Sequence, residues 1–169
     1  GANDVSGDEK LFQLLWLLMK ATFKTWKTSR SLYLKFLEGY TVEQLNKIPE
    51  GFNNNLVWNI GHVIVAQQGL VYKSTGLEAH VSDEMFGKYG IGTKPDKPVE
   101  AEEIMEMKKL LIDLIAQTES DYNSGKFISF HERTTKTGFH LSSVEDAIVF
   151  NNFHEGLHLG YMMSIRKFV

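Results

Sequence analysis

A chain of 169 residues, 43% apolar and 23% charged, has the length and composition of one globular domain with a substantial core. Its net charge of −3 and pI near 6.1 supply no basic field, which argues against nucleic acid as a partner. There is no cysteine, which excludes disulfides, thiolate metal sites and cysteine nucleophiles; any metal must use His, Asp or Glu, and the composition suits a reducing, cytoplasmic setting.

The start, GANDVSGDEK, is polar and acidic and lacks the pattern of a signal peptide. Gly1 in place of an initiator methionine suggests a tag remnant or a trimmed start, which leaves a removed leader open. Residues 1–7 read as disordered or tag-derived, ahead of a single domain that accounts for the whole of 1–169. Ser6 with Glu9 is a capping-box pair. Behind it Leu11, Leu14, Leu15, Leu18, Met19, Phe23 and Trp26, continued by Tyr33, Phe36 and Leu37, recur at helical spacing and predict a first helix over Asp8–Glu38, bending near Thr28 and closed by Gly39. The run LFQLLWLLMKATF, broken by Gln13 and Lys20, is shorter than the roughly 20 residues of a membrane span and reads as core helix, with no membrane partner. Phe12, Trp16, Phe23 and Trp26 offer more aromatic surface than one bundle seam needs, which predicts a homodimer.

Thr41 and Gln44 form a second capping box on a short helical turn ended by Pro49 and Gly51. Asn53, Asn54 and Asn55 are cap candidates for a second long helix from Asn55 to Ser74. Residues 76–98, rich in glycine and proline, predict a long connection with at most a helical turn near Glu84–Phe86. A third helix is predicted over Val99–Tyr122, with the stripe Ile104, Met107, Leu111, Leu114, Ile115. FISFHERTTKTGFHL alternates weakly and allows a short hairpin, and Ser142 with Glu145 predicts the cap of a last helix over Ser143–Arg166. Together these elements predict an all-α four-helix bundle with a long crossover connection and a short hairpin before the last helix.

The chemistry lies in the last helix. His154 and His158 are one turn apart and therefore share a face, a spacing that lets two imidazoles meet one cation. His154-Glu155-Gly156-Leu157-His158 also satisfies H-E-x-x-H, in which the glutamate activates zinc-bound water. The protease reading then meets a difficulty, and a third ligand must lie upstream: Tyr161 and Ser164 stand where metzincins place Gly and His, and no acidic residue follows His158. His62, on an otherwise apolar helix, is the candidate third ligand, although a histidine bonded to a carbonyl in the core is the plainer reading of it alone. Spacing cannot bring residues 62 and 154 together.

The segments WNIGH (Trp58 to His62) and HEGLHLGY (His154 to Tyr161), with LNKIPEGF and FNNNLVWNIGHVIVAQ leading into the first, resemble the DinB/YfiT-like superfamily over about residues 28–168. The resemblance implies a metal, often nickel or zinc, held by His62, His154 and His158. Many members carry Gln where Tyr161 stands, so Tyr161 either donates its phenol to a ligand or packs. Characterised members include S-transferases that use low-molecular-weight thiols and thiol-dependent isomerases. That implies a metal-dependent transferase acting on a small-molecule substrate with a small thiol as second cofactor.

Three neutral imidazoles leave coordination positions open, as a catalytic site requires. Glu155 is the candidate base, and Asn59 and Asn151, each one turn before a histidine, are candidates for orienting the site. Tyr72, Gln67 and Gln68 are further candidates to reach it. His80, His131 and His140 fall in connections and are expected to be exposed, His80 or His140 acting on the site only by folding over it. Two alternatives stand beside the transferase: a metal-dependent hydrolase with Glu155 as base, and a non-catalytic metal-holding bundle.

Overall fold

The computed structural model describes residues 6–169. It contains α1 (Gly7–Gly39), α2 (Val42–Asn46), α3 (Leu56–Val71), α4 (Asp83–Tyr89), α5 (Ala101–Asn123) and α6 (Val144–Ile165), with 3-10 turns at Lys73–Thr75 and Arg166–Phe168. β1 (Arg133–Thr134) and β2 (His140–Leu141) pair antiparallel, with Arg133 opposite Leu141 and Thr134 opposite His140. The protein is therefore all-α, with α1, α3, α5 and α6 as the four long helices and a minimal hairpin before the last. For residues 1–5 the expected disorder lies outside the described residues, whereas Ser6 caps α1 and Gly7 opens it.

Local chemistry sets the boundaries. Ser6 Oγ accepts from the Glu9 amide at 3.3 Å, and Thr41 and Gln44 close a full capping box on α2. Asn55 caps α3, its side chain accepting from the Trp58 amide at 2.8 Å, a contribution of about 1 kcal/mol for such caps. The start of α6 differs by one residue from the sequence expectation. Ser143 rather than Ser142 is the cap, accepting from the Asp146 amide at 3.1 Å, while the Asp146 carboxylate accepts from the Ser142 amide at 2.9 Å. Glu145, freed from that role, accepts from the Tyr122 hydroxyl on α5. The 76–98 connection holds more than a turn: α4 spans two turns and packs against α3. In the hairpin, Gly138 has φ 96°, a left-handed conformation that a side chain would strain.

The core divides into two apolar clusters. One gathers Tyr33, Leu37, Ile60, Ile64, Met107, Leu111 and Met162; the other Met19, Phe23, Trp26, Val71, Ile115 and Ile148. The predicted α5 stripe is buried throughout. The expected first-helix stripe is buried only from Met19 onward. Leu11, Phe12, Leu14, Leu15, Trp16, Leu17 and Leu18 are 38–73% exposed, so these first turns of α1 contribute nothing to the buried core. No helix among the described residues is long and apolar enough to cross a membrane.

Candidate metal centre

α3 and α6 pack against each other and carry all three histidines on their shared face. The Nε2 atoms of His62 and His154 stand 3.4 Å apart, and one ligand atom from each of His62, His154 and His158 lies within 4.8 Å of the others. Two nitrogens bound at about 2.1 Å to one cation at a tetrahedral angle lie about 3.4 Å apart, so the spacing fits a shared divalent ion. The separation of 92 positions between His62 and His154 is closed by helix packing.

The outer nitrogens are held. His62 Nδ1 donates to the Tyr89 carbonyl at 2.8 Å, and His158 Nδ1 donates to Asn59 Oδ1 at 2.8 Å. Both bonds place the proton on Nδ1 and leave Nε2 as the lone-pair donor, the arrangement by which outer partners prepare imidazole ligands. Asn59 is itself fixed, its amide nitrogen donating to Asn54 Oδ1 at 2.9 Å and to the Asn55 carbonyl at 2.7 Å. The Asn tract that caps α3 thus also sets a ligand of α6. His154 differs: its Nδ1 is buried with no hydrogen-bond partner. Trp58 stacks on His62, with centroids 4.9 Å apart and planes within 9°, and Phe150 lies 6.2 Å from His154.

Burial holds all three imidazoles neutral. It lowers the His62 pKa; burial, with the neighbouring His62 charge, lowers that of His154 to about 4; and burial, with both neighbours, lowers that of His158 to about 3. Neutral ring nitrogens with free lone pairs are the form a metal requires.

Beside the histidines lies a cavity of about 480 Å³, lined by His62 and His154 and also by Val65, Leu70, Phe86 and Phe150. The β1–β2 hairpin contributes Arg133, Thr134, Thr135, Lys136 and Thr137 to its lining. Phe139 of the hairpin packs on Phe150 and Phe153 of α6, which fixes the hairpin against the site.

The Glu155 carboxylate is turned away from the histidines. Its carboxylate is fully buried and accepts from Arg30 Nε at 2.6 Å, Arg30 Nη2 at 3.1 Å, Trp26 Nε1 at 2.9 Å and Asn151 Nδ2 at 2.6 Å. One residue along a helix is a rotation of about 100°, so His154 and His158 face α3 while Glu155 faces α1. A carboxylate already serving a buried guanidinium is not available to take a proton from a nucleophile. The Asn151 amide likewise donates to this carboxylate rather than to a histidine. The Tyr161 ring packs edge-on against Phe52, 5.6 Å between centroids, and makes no hydrogen bond to the histidines. Gln67, Gln68 and Tyr72 face α5 instead, in a network with Thr118 and Asp121. His80, His131 and His140 are exposed as expected, and none joins the cluster.

Arg30 went unnoticed in the sequence, yet a signal was there. Met19, Phe23, Trp26, Arg30, Tyr33 and Leu37 alternate spacings of four and three along one buried stripe. A cation at such a position demands a buried anion.

A family model described as the DinB superfamily matches residues 25–162. The chain belongs to that superfamily. No curated protein matches it significantly. The match takes in α3 and α5 whole, α1 from residue 25 and α6 to residue 162, with the three histidines, and leaves out the exposed start of α1.

Proposed function

We propose that this protein is a metal-dependent enzyme of the thiol S-transferase type, with His62, His154 and His158 holding a divalent ion, nickel or zinc. The carrying observation is the convergence of three neutral imidazoles beside a cavity that two of them line. A divalent cation at these nitrogens supplies Lewis acidity, lowering the pKa of a thiol or water that reaches it. The surrounding residues do the rest: the Tyr89 carbonyl and Asn59 orient two rings, and Trp58 and Phe150 limit water around the histidines.

The cavity lining favours a thiol over water as nucleophile. It contains no carboxylate, and Glu155, the one acid adjacent in sequence to a ligand, is committed to Arg30. A bound cation would lower the pKa of either nucleophile, and a thiol at about 8.5 starts much nearer neutrality than water at about 15.7. The hydrolase reading with Glu155 as base loses its support here. A cytoplasmic protein, supplied with small thiols, fits the proposal. The exposed apolar start of α1 supports a second copy of this chain as partner.

The test is metal loading followed by thiol conjugation. Zinc or nickel is expected at about one ion per chain in the wild type, with loss in His62→Ala and His158→Ala. Metal-loaded protein is expected to join a small thiol to 1-chloro-2,4-dinitrobenzene, the new C–S bond releasing chloride while the thiol proton passes to buffer. Turnover that survives His158→Ala would remove the metal from the mechanism. Metal uptake without turnover of any thiol would leave the non-catalytic bundle.

A further inference from the structure

The cavity beside the histidines has a charge pattern that the metal reading does not use. Overall the chain is acidic, with 21 Asp and Glu against 18 Lys and Arg. The lining of this cavity reverses the balance: it holds Lys73, Arg133 and Lys136 and no acidic residue. Four cations elsewhere sit on carboxylates, Lys27 on Glu119, Lys88 on Glu103, Lys126 on Asp121 and Arg30 on Glu155. Among the described residues, none of the three cavity cations has a carboxylate partner. Glu132, next to Arg133 in sequence, is engaged instead by His140 at 3.2 Å. Lys73 places its ammonium 3.5 Å from the centroid of the Phe86 ring, which itself lines the cavity.

Beside the histidines and the hairpin threonines, the lining is apolar, with Val65, Ala66, Leu70, Phe86, Ile91 and Phe150. A small ligand that buries a hydrocarbon or aromatic body there satisfies this surface, and one that carries an anion satisfies the unpaired cations. We propose that this cavity binds a small organic anion with an apolar body, its charged group held by Arg133 and Lys136 of the hairpin and by Lys73. This deepens the transferase reading, on which it rests for the ligand's role as substrate. Arg133 offers a planar fork suited to a carboxylate, and the hairpin is braced by Phe139 against α6, so the cations are presented from a supported element.

The test compares 4-phenylbutyrate with its neutral isostere 4-phenylbutanamide by titration calorimetry at low ionic strength. Metal-free protein, prepared with chelator, comes first, because a carboxylate could otherwise be held by the metal itself. The acid is expected to bind about tenfold more tightly than the amide, a gain typical of charge-assisted contacts. Arg133→Gln/Lys136→Gln is expected to remove that preference while changing amide binding less than about twofold, and the surface control Lys24→Gln/Lys35→Gln is expected to preserve it. Equal binding of acid and amide would overturn the proposal, as would a preference that persists in Arg133→Gln/Lys136→Gln. Failure of the metal reading registers separately, as absent zinc uptake by a protein that still prefers the acid.

Discussion

The ring of Tyr89 fills the space that a Cβ on Gly61 would need, with Cδ1 and Cγ 2.5 Å from its ideal position. Real Cβ contacts are never that short, and Tyr89 is 2% exposed, so its ring has nowhere open to retreat. The same Tyr89 accepts the Nδ1 proton of His62, the residue after Gly61. A missing side chain on α3 thereby lets α4 dock closely enough to fix the His62 ring.

Gly61→Ala is therefore expected to push Tyr89 away and release His62 Nδ1. Metal affinity should fall by about 10–100-fold, as for other losses of an outer hydrogen bond to a ligand. Competition with a chromophoric chelator measures it. Asn59→Ala, which frees His158 Nδ1, is expected to weaken binding comparably, whereas Asn151→Ala is expected to leave it nearly unchanged.

Glu155→Gln tests the structural assignment of that residue. It leaves the Arg30 guanidinium buried without its anion, and removal of one partner of such a pair costs about 3–5 kcal/mol. Urea unfolding should register that loss, while metal stoichiometry in the folded fraction stays as in the wild type. Arg30→Met/Glu155→Leu is expected to be less destabilised than Glu155→Gln, because no charge then remains in the interior. Loss of metal with unchanged stability would return Glu155 to the site.

Metal-free protein is expected to lose stability as pH falls below about 6.5, the ordinary histidine pKa in the unfolded chain. Folding lowers the pKa of His154 to about 4 and of His158 to about 3, chiefly by burial. Across that window the unfolded chain binds protons that the folded protein refuses, so the urea midpoint declines with acidification. Above about pH 8 both states are neutral and these groups contribute no slope. In His154→Gln the decline between pH 6.5 and 4.5 should be shallower, measured with chelator present.

The first turns of α1 predict self-association. Trp16 and Phe12 are 49% and 73% exposed, within a run of apolar residues that covers the helix on several faces. Gel filtration at micromolar concentration is expected to give a dimer, and Leu14→Glu/Leu18→Glu a monomer of retained helicity. A monomeric wild type would count against the second copy as partner.

Much of the fold was legible in the sequence because it is written locally. Cap residues, the 3.6-residue period and the Gly/Pro-rich connection predict α1, α3, α5 and α6 to within a few residues. Where prediction slipped, two local solutions competed: Ser142 and Ser143 are both competent caps, and the one whose partner Asp146 also reaches back to the Ser142 amide prevailed. The histidine pair of α6 was legible for the same reason, since four residues make one turn. Apolar character, in contrast, states only that a surface can be buried, and Leu11 to Leu18, apolar as they are, lie outside the buried core.

The residues alone thus determined which side chains share a helical face. Tertiary structure decided which face meets which neighbour: His154 and His158 toward α3, Glu155 toward Arg30, Asn59 onto a ligand of another helix, and the hairpin's cations beside the cavity. The physical reason is range. Capping and periodicity act within one or two turns of the backbone, whereas the partner of a buried charge or imidazole is chosen by how whole helices pack, and that rests on contacts between residues about a hundred positions apart.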